Sequence, residues 1–184
     1  MKSRWAAKQS KPGFTIVELL IVVVVIGILA AIVVVAYTTL QNRARTSQTL
    51  TSAASYAKSI QSFYATNQRF PGSYLGIACL GKPGTLCGNV TDTSTTCGFT
   101  QATYLSSFGD DIATITRSLP EPSDQTLTCG GKQFGGGIYV NYGTFVLIYL
   151  FLSNVTSCPT VRGTNLSGGT AMTGGYVCTL TISG

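Results

Sequence analysis

The chain has 184 residues, enough for one domain of ordinary size, and only 10% of them are charged. It contains no histidine, which removes the commonest general base and metal ligand and excludes Ser-His-Asp and Cys-His catalysis. Four of its basic residues lie before position 13, and without them eight basic residues face six acidic ones, which is not the composition of a nucleic-acid binder.

A long apolar segment follows this basic start. Residues 19–36 carry no charged or polar side chain. Extending the segment back to Phe14 adds only two polar side chains, those of Thr15 and Glu18. A helix over 14–36 would be about 35 Å long and would cross a hydrocarbon core of about 30 Å with some tilt. Because a lone span in lipid must satisfy its own backbone hydrogen bonds, the segment is predicted to be a transmembrane helix with its basic end in the cytoplasm.

Two simpler interpretations of this segment were weighed against its residues. A removable secretory signal has a shorter apolar stretch followed by a small-x-small site, which residues 33–37 match poorly, so the segment is expected to stay in the mature protein. A plain signal anchor would have Glu18 reaching the lipid headgroups. However, a carboxylate beside lipid is costly and points to a function that supplies it with a partner.

Residues 11–20, Lys-Pro-Gly-Phe-Thr-Ile-Val-Glu-Leu-Leu, together with the apolar run after them, resemble the class III signal of type IV prepilins. The resemblance implies that a prepilin peptidase cleaves between Gly13 and Phe14 and methylates the new amine of Phe14. It also implies that Glu18 is the acidic residue on which the family's assembly depends. Gly27 and residues 30–31 match the family as well.

Position 35 departs from the family, because many type IV pilins carry a proline before the Ala-Tyr pair where this chain has Val35. We therefore expect a straighter helix. Phe14 and Glu18 are four residues apart and share a helix face. In the family's filaments the acidic residue of one subunit is thought to meet the terminal amine of another. Since a buried charge is tolerated only when paired, cleavage would be coupled to assembly.

Residues 37–66 are predicted to continue the same helix with one face buried on a sheet, and residues 67–72 to end it. The predicted stripe recurs at spacings of three and four and consists of Leu40, Ala44, Ser47, Leu50, Ala54, Ala57, Ile60 and Tyr64. Further along, strands are predicted over 138–141, 144–152 and 175–182, and the middle one is long and apolar enough to be covered on both faces. The adjacent Asp110 and Asp111 are expected to open a short helix.

Six cysteines lie after residue 78, none of them in a C-x-x-C pair: Cys79, Cys87, Cys97, Cys129, Cys158 and Cys178. An even number behind a membrane signal predicts three disulfides and an oxidising compartment. Six free buried thiols are the alternative. The resemblance to the C-terminal disulfide-bound region of many pilins implies a Cys158–Cys178 pair, and no other pairing is predicted.

The sequence thus predicts an α+β, pilin-like fold, with a long N-terminal helix packed on a small antiparallel sheet. The predicted divisions are a cleaved basic leader (1–13), a transmembrane or filament-core half of the helix (14–36), an amphipathic half (37–66) and a disulfide-containing extracytoplasmic head (67–184). The protein would begin as a single-pass inner-membrane protein and end in an extracellular pilus.

The resemblance implies a structural subunit of a type IV pilus serving adhesion, twitching motility or DNA uptake. The alternatives are a pseudopilin of a type II secretion or competence system and, from another class, a monomeric membrane-anchored binding protein. The implied partners are other copies of the chain, minor pilins, the peptidase, the assembly platform with its ATPase, and membrane lipid before assembly. Nucleic acid would be a partner only in DNA uptake. No enzyme activity, metal or cofactor is predicted.

Overall fold

The structure, a computed structural model, describes residues 13–81, 87, 105–118, 120–123, 126–129, 132–160 and 166–184. The chain divides into two compact units, an N-terminal unit up to Leu40 and a head unit from Gln41 to Gly184. The elements are α1 (Ile16–Asn67), β1 (Ile77–Cys79), α2 (Ser106–Ala113), β2 (Thr126–Cys129), β3 (Lys132–Gly135), β4 (Gly137–Asn141), β5 (Phe145–Ser153), β6 (Leu166–Met172) and β7 (Gly175–Ser183).

The helix α1 ends where the sequence predicts. Its last residue is Asn67, and Gln68 turns into the left-handed region with φ of 53° while its N–H still donates to the carbonyl of Tyr64 at 2.8 Å. Phe70, Pro71 and Gly72 follow, and Gly72 also has a positive φ. A proline and a left-handed glycine so soon after the helix prevent its continuation.

A five-stranded antiparallel sheet forms the centre of the head unit, in the order β1-β4-β5-β7-β6. The three predicted strands are confirmed, each to within one residue at either end. The central pair is β5 with β7, in register from Phe145 opposite Ser183 to Ser153 opposite Gly175. Alternate side chains of β5 therefore point to opposite faces of the sheet, as the period of two in a strand requires.

One face of the sheet packs against α1 and α2. The helices contribute Tyr56, Ile60, Phe108 and Ile112, which are buried together with the even-numbered side chains of β5 and β7: Val146, Ile148, Leu150, Leu152, Cys178, Leu180 and Ile182. The rings of Phe108 and Tyr139 lie 4.4 Å apart between centroids. This layer is the main hydrophobic core and fixes the C-terminal part of α1 on the sheet.

The other face of the sheet is partly covered by the β2–β3 hairpin. Leu127 and Phe134 of the hairpin are buried in a second cluster with Ile138, Phe151 and Val177 of the sheet. Phe134 and Phe151 stack with their centroids 5.4 Å apart. Double coverage of β5 is therefore confirmed at its C-terminal end, whereas Phe145 and Leu147 at its N-terminal end are only half-buried.

The predicted helix stripe is partly wrong. The structure buries Ala57 and Ile60 as predicted. It exposes Leu40, Ala44 and Ser47, and Leu50, Ala54 and Tyr64 are half-buried. The buried set also contains residues outside the prediction: Thr49, Ser52, Ala53, Tyr56 and Phe63.

Hydrogen bonds explain why polar residues occupy this buried face. The hydroxyl of Thr49 lies 2.7 Å from that of Ser123 and accepts the N–H of Ser123 at 3.1 Å, while Ser52 donates to the carbonyl of Pro120 at 2.7 Å. A buried polar group is tolerated when it is hydrogen-bonded, so polarity alone did not mark the exposed side of the helix.

The prediction that Asp110 and Asp111 open a short helix is also wrong. The helix α2 begins at Ser106, so both acids lie in its second half, and its N-cap, Leu105, makes no side-chain cap. Asp111 instead binds Arg69 through two hydrogen bonds, of 2.8 and 2.9 Å, and accepts the N–H of Gly72 at 2.8 Å. Its carboxylate therefore joins α2 to the segment that follows α1.

Candidate functional site

The N-terminus of α1 is closed by a pair of residues that cap each other. The N–H and the hydroxyl of Thr15 donate to Oε2 of Glu18 at 2.9 and 2.8 Å, and the N–H of Glu18 donates to the Thr15 hydroxyl at 3.2 Å. This is a capping box, in which Thr at the N-cap and Glu three residues later satisfy backbone donors that the first helical turn leaves unpaired. The Thr-x-x-Glu spacing is visible in the sequence, but no cap was predicted from it.

The predicted cleavage residues lie just before this cap. Gly13, Phe14 and Thr15 have no regular secondary structure, and all three are exposed. A β-carbon added at Gly13 would meet no atom within 4 Å. Packing among the described residues therefore does not require a glycine at this position.

The N-terminal unit presents an apolar surface on every side. Every residue from 13 to 40 is exposed, and the large hydrophobic side chains among them are between 49% and 85% exposed. Burying one such side chain is worth about 1.5–3 kcal/mol, so the whole surface in water would cost on the order of tens of kcal/mol. By length and composition α1 is suited to crossing a membrane.

Small residues lie in the middle of this apolar helical segment. Gly27 lies inside the helix, where glycine costs about 1 kcal/mol relative to alanine, yet an added β-carbon there would meet nothing within 4 Å. Ala30 and Ala31 follow one turn later. Small residues at this spacing permit another helix to approach closely in a membrane.

At Val35, where many pilins carry a proline, the helix continues without a break. The hydroxyls of Thr38 and Thr39 both donate to the carbonyl of Val35, at 2.9 and 3.3 Å. The helix is uninterrupted here, since Val35 keeps the N–H that a proline would lack, while the straighter helix expected from this substitution stays a prediction.

The cysteines of the head unit are disulfide-bonded where the structure describes them. The predicted pair Cys158–Cys178 is confirmed and joins the segment after β5 to β7, and a second pair, Cys79–Cys87, was not predicted. Cys129 is also disulfide-bonded, whereas Cys97 lies outside the described residues. The free-thiol alternative is therefore wrong for these five residues. Nor do the described ranges contain three or more His, Cys, Asp or Glu side chains grouped to hold a metal ion.

Comparisons with known proteins give matches that include the N-terminal segment. Residues 8–34 match the family model of the prokaryotic N-terminal methylation motif. The chain is 30% identical over 96 residues to the type IV major pilin protein PilE1 of Neisseria gonorrhoeae, a match that covers 52% of this chain and 58% of that relative. The chain thus spans little more than half the length of this curated relative. No solved structure is significantly similar to this chain.

These matches define the chain first as a protein with an N-terminal methylation motif at the head of an exposed apolar helix. More particularly, the chain is similar to a type IV major pilin over about half of its length, as the residues around Gly13 and Glu18 suggested. The long helix packed on an antiparallel sheet is the pilin-like fold that the sequence predicted.

Proposed function

We propose that the chain is the structural subunit of a type IV pilus. In this proposal the peptidase removes residues 1–13, the apolar helix holds the subunit in the membrane, and many copies are then built into a filament. The observation that carries the proposal is the placement of Glu18: it is the only acidic residue of the exposed, largely apolar segment 13–40, and it lies within the matched methylation motif.

The geometry of the junction supports cleavage before Phe14. A peptidase needs an extended, accessible peptide bond, and the residues on both sides of this bond are exposed and lie outside the helix. Since packing among the described residues does not explain a glycine at position 13, recognition by an enzyme is an explanation for it. Cleavage would leave the new amine of Phe14 directly before the capping box.

The capping box also bears on how Glu18 is used. Both hydrogen bonds from Thr15 go to Oε2, so Oε1 remains able to accept from a cation. A carboxylate beside lipid is stabilised by its cap, but it gains more from a charge-assisted bond to an amine. The amine of a neighbouring processed subunit would supply that bond and would set the register between two helices.

The remaining surface of the N-terminal unit supports assembly by helix packing. Its exposed side chains can be covered by lipid or by other copies, and Gly27 permits the close backbone approach that helices make with one another. The relative's name describes it as a major pilin, which favours a pilus over the short pseudopilus of a secretion system.

Replacing Gly13 tests the processing step. We expect Gly13→Leu to leave the leader attached, so that the intact mass includes Met1, and to abolish filaments that can be sheared from the cells. Gly168→Leu is the matched control, because Gly168 lies in β6 and its added β-carbon would also meet nothing within 4 Å. Mature filaments of normal yield from the Gly13 variant would contradict the proposal.

Replacing Glu18 tests the charge separately from the cap. Glu18→Gln keeps an oxygen that can accept from Thr15 but removes the negative charge. We expect this variant to be cleaved normally and to stay in the membrane fraction without forming filaments, because its side chain can no longer attract the amine of Phe14. Filaments as abundant as those of the wild type would show that the charge is not needed for assembly.

A further inference from the structure

Exposed hydrophobic side chains of the head unit gather at one place. Among its described residues, four large ones are exposed: Tyr74 (70%), Leu75 (57%), Ile115 (37%) and Tyr142 (37%). Tyr74, Leu75 and Tyr142, which we call the tyrosine patch, come together where the loop before β1 lies beside the β4–β5 turn.

Backbone hydrogen bonds hold the two segments of the patch side by side. The N–H of Leu75 donates to the carbonyl of Asn141 at 2.8 Å, and the N–H of Asn141 donates to the carbonyl of Gly76 at 3.0 Å. The ring of Tyr74 lies against Gly143, where an added β-carbon would come within 3.0 Å of Cδ2 and Cε2. The patch is therefore formed by two parts of the chain that are far apart in sequence.

Contacts within the head unit also hold residues of the patch in place. The ring of Tyr142 stacks on Phe145 with centroids 4.9 Å apart and planes at 16°, and its N–H donates to the carbonyl of Phe145 at 3.0 Å. Leu75 has a φ of 55°, a left-handed conformation that costs a residue other than glycine about 1–2 kcal/mol. Because the side chain of Leu75 is exposed, no contact with the core offsets this strain. Backbone strain of this kind is common where a surface serves a function.

The chemistry of the patch indicates an uncharged, apolar partner. Neither contributing segment, residues 73–76 or 141–145, contains a charged residue, so nothing in them would anchor a phosphate backbone. Tyrosine rings could stack on a sugar, but Leu75 has neither an aromatic face nor a hydroxyl group with which to hold one. An apolar protein surface would bury all three side chains, and tyrosines are common anchors at protein interfaces.

The size of the patch limits which kind of protein could bind to it. Three partly exposed side chains offer on the order of a few hundred Å². A stable complex of two free proteins buries about 800 Å² on each side, so the patch alone would not hold an independent partner. A protein already fixed nearby needs much less contact area, because tethering raises its effective concentration to about the millimolar range.

We propose that the tyrosine patch contacts the head unit of a second copy of this chain in the assembled filament. The inference rests on the proposed function, since the apolar helices would bring the copies together and so supply the tethering. The contact joins two different surfaces rather than one surface to itself, because repeated head-to-tail contacts generate open filaments.

Photo-crosslinking tests this contact in the full chain. With p-benzoylphenylalanine in place of Tyr74, irradiation of sheared filaments should give a covalent dimer of the chain. The dimer should be lost when the same residue is combined with Gly13→Leu, which blocks assembly under the proposed function. A wild-type chain that forms no filaments would overturn both proposals. Normal filaments that yield no dimer, or crosslinks only to a different molecule, would overturn the patch contact alone.

A serine variant provides a second readout. We expect Tyr74→Ser combined with Leu75→Ser to give filaments that dissociate at a temperature several degrees below that of the wild type, while the head unit unfolds normally. Ile115→Ser is the matched control, because Ile115 is as exposed as Tyr142 but is not part of the patch. Unchanged dissociation of the double variant, or an equal shift in the control, would contradict the proposal.

Discussion

The two units of the chain use apolar residues in opposite ways. In the N-terminal unit every residue from 13 to 40 is exposed, although most of them are valine, isoleucine, leucine or alanine. In the head unit the same helix buries Tyr56, Ile60 and Phe63 and even two hydroxyl residues, Thr49 and Ser52. The composition of a helical segment therefore does not indicate whether the segment has a core of its own.

This difference shows that local interactions hold the first part of α1, whereas tertiary packing holds its second part. Residues 16–40 are helical because their backbone bonds are satisfied within the helix and because a capping box closes the first turn. Residues 49–63 are fixed by packing against the sheet. Under the proposed function, substitutions in the N-terminal unit should mainly change membrane insertion and assembly, whereas those in the head unit should change its free energy of unfolding.

An isoleucine pair gives the largest expected contrast. Ile60 is fully buried against the sheet, so Ile60→Ala should lower the free energy of unfolding of the head unit by about 2–5 kcal/mol. Ile26→Ala, in the same helix but at a 59% exposed position, should change it by less than about 0.5 kcal/mol. Denaturant titration of the full chain in detergent micelles, followed by tyrosine fluorescence, measures both. Equal effects would show that the two halves of α1 are not energetically distinct.

A threonine pair tests whether the buried hydroxyls of α1 matter. Thr49→Val removes the acceptor for the N–H of Ser123 and the partner of its hydroxyl, so we expect a loss of about 1–3 kcal/mol. Thr51→Val, two residues on, removes only an exposed bond to the carbonyl of Ser47 and should cost less than about 0.5 kcal/mol. The same titrations compare the two variants. A Thr49 variant as stable as the wild type would mean that the hydrogen bonds between Thr49 and Ser123 are not needed to hold the segment from Pro120 to Ser123.

How far the sequence predicts the fold depends on which signal an element carries. The length of α1 and its end follow from an unbroken helical pattern and from the Phe-Pro-Gly sequence after it. The strands β4, β5 and β7 follow from apolar runs of strand length between turn residues. In contrast, β6 is an edge strand of small and polar residues, and most of its side chains are exposed, so it has no apolar alternation from which it could have been predicted.

The candidate site was predicted from a motif, and its surroundings were predicted less well. The motif located Gly13, Phe14 and Glu18, because a single acidic residue in an apolar helix is conspicuous. It did not reveal that Thr15 caps that residue. Nor could the burial of Thr49 be predicted, since it depends on Ser123, a residue 74 positions away. Contacts between distant segments leave no periodic signal in the sequence.

A carboxylate in the head unit gives a smaller, pH-dependent effect. Partial burial works to raise the pKa of Asp111, but the hydrogen bonds from Arg69 and from the N–H of Gly72 outweigh it and lower that pKa. A lowered pKa in the folded state means that the stabilisation is present above the unfolded value, near 4, and is lost as the pH falls through the folded value. Asp111→Asn should therefore cost about 1–2 kcal/mol at pH 7, allowing for the solvent-exposed arginine, and progressively less below about pH 4.

Unfolding titrations at pH 7 and pH 3 check this prediction. The control is Asp110→Asn, since this neighbouring carboxylate makes none of the three hydrogen bonds of Asp111. It should leave the free energy of unfolding unchanged at both pH values. A constant cost of Asp111→Asn across this range would show that the charge of the carboxylate does not contribute to the link between α1 and α2.

The smallest expected effect lies at the first turn of α1. Thr15→Val removes the hydroxyl that accepts the N–H of Glu18 and donates to its carboxylate, a loss of about 1 kcal/mol for an N-cap. Because the hydroxyl of Thr15 takes part in two of the three hydrogen bonds of the capping box, we expect amide hydrogen exchange at residues 16–18 to accelerate about fivefold in micelles. Thr39→Val, which removes a hydroxyl bond to the carbonyl of Val35 within the same helix, should leave exchange at the first turn unchanged. If both variants exchange as the wild type does, the micelle rather than the capping box holds the start of the helix. In the proposed function, Glu18 could then bind the amine of a neighbouring subunit without loss of helical structure in the first turn.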